Sequence, residues 1–467
     1  MSFTRRRAWR ISIFALIVAA YVAAVVIYRP DRALRTTTGT AAHDLCSETF
    51  VSQLDPDQVF AESLRPRPGF RRMAWAMKYT VDHGRREVRA SLLGTLASRA
   101  VFRDGIGCVL VHGDEPIATT KLAGRLHADA LLPAIAGPAL VEPTEPRLKA
   151  ALDAAFLEPD QPPHRHTKAV VIVHDGKVIA ERYAEGYGIN TPILGFSMTK
   201  SVTNALVGIL IHQRRLVTDA PAPIAAWQVG TDPRGAITIE QLMRMNSGLA
   251  LDETGSGFDP SNQMFYDEPD MAGYAQRAKL LAAPGTRWAY SSASTHLLAR
   301  IVRDRVGGTA EAVQRFAFTE LFDPLGMRSV TLEMDATGTP VGAHYMLASA
   351  RDWARFGSLF LNDGVVGGRR ILPEDWVEFS TAPTLGTAYG AGWWTNRGND
   401  PAALHRIKVG VPADAYFAFG NLGQRIAVIP SERLVIVRMA RAHLQYGDMA
   451  GFEKLVKDTI ASLHSTR

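Results

Sequence analysis

One Ser-x-x-Lys element occurs in the 467-residue chain, Ser197-Met198-Thr199-Lys200. Positions i and i+3 share a helix face, so Ser197 Oγ and Lys200 Nζ can meet there. A serine hydroxyl is a weak nucleophile at neutral pH and needs a base. A lysine amine serves as that base once desolvation or positive potential favours its neutral form. The start of a helix contributes positive potential and free backbone N–H groups for a developing oxyanion. These residue types at this spacing therefore sit where nucleophilic chemistry on a serine could work.

The flanking pattern predicts elements able to hold such a pair. Ala169–Val173, then His174-Asp175-Gly176-Lys177, then Val178–Tyr183 reads as a β-hairpin, because Asp-Gly between apolar runs tolerates positive φ at both turn positions. Residues 196–213 follow, with Val202, Ala205, Leu206, Ile209 and Leu210 at helical spacing. The region 214–385 is mostly helical in pattern. Three strands are expected near the end, over 415–419, 425–429 and 433–438, with Pro430–Glu432 as a turn and a closing helix over 449–463. The fold class is α/β: an antiparallel sheet built from both ends of the domain, flanked by helices, with an inserted helical region. Further upstream, Cys108–His112 running into Gly113-Asp114 reads as a strand and turn.

Further stretches follow Ser197 and Lys200 in order. They are Gly235 to Ser247-Gly248-Leu249, Pro284 to Tyr290-Ser291-Ser292, Pro324-Leu325-Gly326-Met327, and Ala350-Arg351-Asp352 to Phe356-Gly357. Together they resemble the serine β-lactamase and penicillin-binding-protein superfamily, in its class C-like branch with esterases and 6-aminohexanoate-dimer hydrolases, over roughly residues 165–440. The resemblance implies a β-lactamase/transpeptidase-like fold with Ser197 as acyl-forming nucleophile. Lys200 assists its deprotonation, and Tyr290 relays the proton to the leaving group. Ser292 falls where the family contacts substrate or the lysine.

The third family motif departs from its usual form. Its candidate is Gly420-Asn421-Leu422-Gly423-Gln424, with Asn421 where relatives carry histidine. Backbone donation needs no particular side chain, so the N–H of Asn421, next to Gly420, is expected to share an oxyanion hole with the N–H of Ser197. The departure removes a cation for a substrate carboxylate, and so favours an amidase or esterase over a β-lactamase or D,D-peptidase. A domain of this fold that is acylated by ligand and signals without turnover is the alternative from another class. Tyr266 and His344 are candidate cleft residues. His164-Arg165-His166 has no third ligand beside it, and neither a metal nor a cofactor is expected.

Composition narrows the remaining choices. The net charge is +6, and residues 1–35 carry seven arginines and one acid, Asp31, which accounts for all of it. The neutral remainder offers no electrostatic footprint for nucleic acid. Residues 11–28 form 18 consecutive residues without charge, Gly or Pro, long enough for a transmembrane helix. The arginines before it predict a cytoplasmic tail over 1–10 and a signal anchor over 11–28; a cleaved signal is the alternative. Residues 29–150 read as a juxtamembrane linker, over 29–45, followed by an accessory segment. Residues 151–467 read as the hydrolase domain. Both readings place that domain outside the cytoplasm, and the signal anchor holds it at the cell membrane on its periplasmic side, acting on a small amide or ester. Two cysteines, Cys46 and Cys108, fit one disulfide in an oxidising compartment. Two unpaired buried thiols are the alternative, because spacing alone does not bring sulfurs together.

Overall fold

The computed structural model describes residues 30–113, 127–254 and 259–465, together with Ile13 and Leu16. The span expected over 11–28 otherwise lies outside the described residues. Among those residues no helix is long and apolar enough to cross a membrane.

From residue 30 onward the first described element is helix α1, Pro30–Cys46. Residues 30–45 were expected as linker because their centre is small and polar. Instead Thr37 and Thr40 turn their hydroxyls back onto the carbonyls of Ala33 and Thr36, and Thr38 bonds Ser98. Polar threonines thus satisfy themselves inside a helix whose second half is buried. Four antiparallel strands follow, β1 Met77–Asp82, β2 Glu87–Leu92, β3 Thr95–Arg103 and β4 Gly107–Leu110, paired in chain order. Cys108 on β4 is bonded to Cys46 at the end of α1, with Cα atoms 6.0 Å apart.

The larger body opens with α2 Pro146–Phe156 and the hairpin β5 Thr167–His174 and β6 Lys177–Tyr183. Its turn residues Asp175 and Gly176 take φ of 47° and 76°, as the Asp-Gly dipeptide predicts. After short strand β7, Ile193–Leu194, come α3 Thr199–His212, α4 Pro260–Asp267 and α5 Ser292–Arg305. Two more short strands, β8 Thr331–Leu332 and β9 Met346–Ala348, pair with β7 in the order β7-β9-β8. Then come α6 Ala350–Leu361, β10 Trp394–Thr395, β11 Tyr416–Gly420, β12 Gln424–Ile429, β13 Leu434–Ala440 and α7 Met449–Ser465.

The main sheet is fully antiparallel in the order β10-β11-β12-β13-β5-β6. Strands from both ends of the domain meet where β13 pairs with β5. Side-chain alternation divides the core into two layers. Val170 and Ile172 join Leu152 of α2 and Phe452 and Leu455 of α7 on one face. Val171 and Val173 join α3 and α6 on the other. Gly357 lets α6 seat tightly, since a Cβ there would lie 2.6 Å from Val435. The motif residue Arg351 of α6 forms a buried ion pair with Glu181 of β6 and donates to the carbonyls of Gly137 and Ala139. Its neighbour Asp352 accepts from the N–H groups of Arg328 and Ser329. The Ala350–Gly357 motif therefore secures the architecture around the site.

Candidate active site

Ser197 sits where β7 breaks into α3. Gly195 N–H donates to Met346 O of β9 at 2.9 Å, which ties the incoming strand down. A Cβ on Gly195 would fall 2.3 Å from the Trp353 ring, and one on Gly420 would fall 2.2 Å from Gly195 O. Only glycine lets the turn, α6 and the end of β11 approach this closely. Phe196 adopts φ 48°, a left-handed conformation that costs a non-glycine residue about 1–2 kcal/mol. Its buried ring holds it there, with His344 edge-on at 5.0 Å and the Arg67 guanidinium 5.8 Å from its centroid. Ser197 is thereby presented half-exposed in a 3-10 turn, Phe196–Met198, directly before α3.

Lys200, one turn further, is 3% exposed. Its Nζ donates to Ser197 Oγ at 3.0 Å, Ser292 Oγ at 2.9 Å and Ala343 O at 3.0 Å. These three contacts surround the amine nitrogen. The same nitrogen lies 4.8 Å from the Tyr290 ring centroid. Tyr290 stacks on Trp394 at 5.8 Å and meets Tyr389 edge-on at 5.8 Å. Trp288 meets Trp394 edge-on, so the cleft beside Lys200 has an aromatic wall. Glu253 ties that wall to α5: its N–H donates to Tyr290 O at 3.1 Å, and its Oε1 accepts from Ser292 N–H and from Ser261 Oγ.

Ser197 and Lys200 thus converge with Tyr290 and Ser292 from two separate stretches of chain, and the Gly420 backbone abuts the Ser197 turn. Asn421 lies just past β11, exposed, with its Oδ1 accepting from Leu422 N–H at 2.9 Å. His344 is half-buried beside the Lys200 acceptor Ala343, with its ring against Phe196, Phe265 and Tyr345. Burial and then the Lys200 charge hold the His344 imidazole far below its usual range, so it is neutral. Tyr266 goes elsewhere, to the seam with α1: it is buried, its hydroxyl is 3.1 Å from that of Tyr345, and it packs under Gly39.

Other neighbours were not foreseen. The Ala343 carbonyl carries no side-chain signal. His296, fully buried one turn after Ser292, was legible as the i+4 position of α5; burial, with Lys200 adding, pushes its pKa down to about 3. Glu253 had no motif to mark it. Among the described residues no group of three or more His, Cys, Asp or Glu is placed to hold a metal ion.

Comparison with known proteins agrees with this geometry. The Beta-lactamase family model matches residues 152–451. The 6-aminohexanoate-dimer hydrolase of Paenarthrobacter ureafaciens is 27% identical over 304 residues, covering 59% of this chain and 72% of the relative. Among solved structures, a Bacillus anthracis protein provisionally named a 6-aminohexanoate-dimer hydrolase superposes with TM-score 0.55 at 22% identity, over 75% of this chain and 91% of that one. A class C β-lactamase from Rhodobacter sphaeroides gives 0.51 at 20% identity, over 68% and 99%. The family match spans the Ser197 turn, the aromatic wall and the sheet that carries them, and the chain belongs to the beta-lactamase family of serine hydrolases.

Proposed function

We propose that the protein is an extracytoplasmic amidase or esterase that works through an acyl-enzyme on Ser197. The observation that carries this reading is the triangulated, buried Lys200 amine, 3.0 Å from Ser197 Oγ. In its neutral form Lys200 takes the Ser197 proton as Oγ adds to the substrate carbonyl carbon. Backbone N–H groups of Ser197 and of the chain at Gly420–Asn421 receive the oxyanion. On collapse the C–N or C–O bond breaks, and the leaving group takes a proton through Tyr290, which sits against Lys200 Nζ. Ser292 holds the amine in register. Water then adds to the acyl carbon by the reverse path and frees the acid. The half-exposed Trp288 and Tyr290 suit an apolar chain beside the scissile bond.

Two features support the location. Residues 11–28 are apolar behind an arginine-rich start, and Cys46 and Cys108 are paired. We place the N-terminal tail in the cytoplasm, residues 11–28 in the membrane and the hydrolase in the periplasm.

A fluorophosphonate probe with intact-mass readout tests the chemistry. One adduct is expected on wild type and none on Ser197→Ala; equal labelling of both sinks the mechanism. A panel of p-nitrophenyl esters, linear aminohexanoate oligomers and β-lactams then ranks the substrates. Turnover of esters or oligomers with slow or no β-lactam hydrolysis is expected, and rapid β-lactam hydrolysis alone overturns the substrate assignment.

A further inference from the structure

We infer that the accessory segment positions the general base: Tyr345, clamped by α1 and by the Cys46–Cys108 bond, is a positioning residue for Lys200. The inference rests on the reading of Ser197 as nucleophile and Lys200 as base. The segment lies outside the residues matched by the family model, which begin at 152. It nevertheless reaches the back of the site.

The connection runs through named contacts. Ala343 O is one of the three acceptors that fix Lys200 Nζ. It belongs to the turn Ala343-His344-Tyr345, which leads directly into β9. Tyr345 is fully buried, and its hydroxyl donates to Asp44 Oδ1 of α1 at 2.7 Å. The other Asp44 oxygen is held by Arg67 at 3.0 Å, and Arg67 also covers Phe196, the residue before the nucleophile. His43 of α1 stacks on the Tyr345 ring with centroids 3.9 Å apart. His43 is fixed in turn by Cys108 O at 3.1 Å and Glu333 at 3.0 Å. Glu333 is wholly buried and also accepts from Ser47 Oγ and Cys108 N–H. The residues that grip Tyr345 thus lie within three positions of Cys46, and their anchor is Cys108 itself. The disulfide joins the two chain segments that form the grip.

Among the described residues the Tyr345 side chain makes its hydrogen bonds and ring contacts with Asp44, Tyr266, His43, Phe265 and His344 and none with Ser197, so its effect must pass through the placement of Ala343 O. A displaced acceptor lets the Lys200 amine swing off the Ser197 line, and small misplacements of a reacting group cost orders of magnitude in rate. Substrate contacts are left alone. The expected signature is therefore a slower covalent step with unchanged binding.

The test uses full-length protein and fluorophosphonate labelling of Ser197, resolved into kinact and KI. Tyr345→Phe keeps the stacked ring and loses the hydroxyl; its kinact is expected to fall about tenfold, with KI within about twofold. A folded Tyr345→Phe protein that labels at the wild-type kinact overturns the inference, as does one whose loss appears wholly in KI. Should that variant fail to fold, the Cys46→Ala/Cys108→Ala double variant replaces it. Its folded fraction is expected to label at least threefold more slowly, and wild-type kinact there overturns the inference equally. Wild-type protein that takes no label at Ser197 instead refutes the underlying mechanism, which separates the two failures.

Discussion

Lys200 is the residue on which the site turns. Among the described residues its amine has a carbonyl and two hydroxyls as hydrogen-bond partners. Lys200→Met preserves much of the packing and removes the base, and kcat is expected to fall by at least about 10³-fold. Tyr290→Phe keeps the stack on Trp394 and removes only the proton carrier, for an expected loss of about 10²-fold in kcat. Steady-state kinetics on the best ester of the panel checks both, and near-wild-type kcat in either variant removes that residue from the mechanism. His296 makes a different prediction. It is neutral in the folded protein, with its pKa pushed down to about 3, while the unfolded chain protonates it near 6.5. The unfolded state binds the extra proton below that pH, so stability falls as pH drops from about 6.5 toward 3. Between pH 6.5 and 5 this group alone removes about 1.5 kcal/mol. Urea denaturation of His296→Leu should show an acid loss smaller by that amount, and an identical loss means that His296 contributes nothing to it.

At the scale of elements, the site depends on a turn squeezed between a strand and a helix. β7 delivers Gly195 and Phe196, α6 presses Trp353 against Gly195, and β11 ends with Gly420 against the Gly195 carbonyl. Gly420 has an ordinary φ of −118°, so its requirement is steric rather than conformational. Gly420→Ala must push β11 away from the nucleophile turn. It is expected to cost about 1–3 kcal/mol in stability and to lower kcat more than KM. Thermal melts beside kinetics check this, and unchanged kcat would show that the β11 edge does not serve the reaction. The hairpin β5–β6 was readable from Asp175-Gly176 because its turn chemistry is local. The strands β11 to β13 were readable from apolar runs with Pro430 between them. The helix α1 was not, since threonines and a glycine describe a linker as well as they describe a helix packed on Ser98 and Tyr266.

The whole molecule is the β-lactamase-family body with an N-terminal sheet and helix built against it. Buried ion pairs cross the seam: Arg441 with Glu48 and Glu62, and Lys168 with Glu62. The contact of His43 Nε2 with Glu333, at 3.0 Å, crosses it too. The Cys46–Cys108 bond closes a loop with a sequence separation of 62, nominally worth about 4 kcal/mol in the chain-entropy model. Replacing both cysteines by alanine should lower the unfolding free energy by about 2–5 kcal/mol in denaturant titration, and unchanged stability would mean that the seam holds without the covalent link.

Serine and lysine three positions apart, with apolar residues at helical spacing behind them, determined by themselves that a buried helix would bring a hydroxyl and an amine together. Ser197 and Lys200 are near in sequence, and one turn of helix brings them into contact whatever the rest of the chain does. Tyr290, Ser292 and Gly420 could be expected only by resemblance, because nothing local places them. Folding decided the remainder. It set the Ala343 carbonyl on the lysine, turned Asn421 onto its own loop, took Tyr266 to the seam and brought α1 up behind the site. Each of these is a contact between residues distant in sequence or a backbone group without a signature. Such contacts are fixed by how layers of the core pack, and only the tertiary structure specifies that packing.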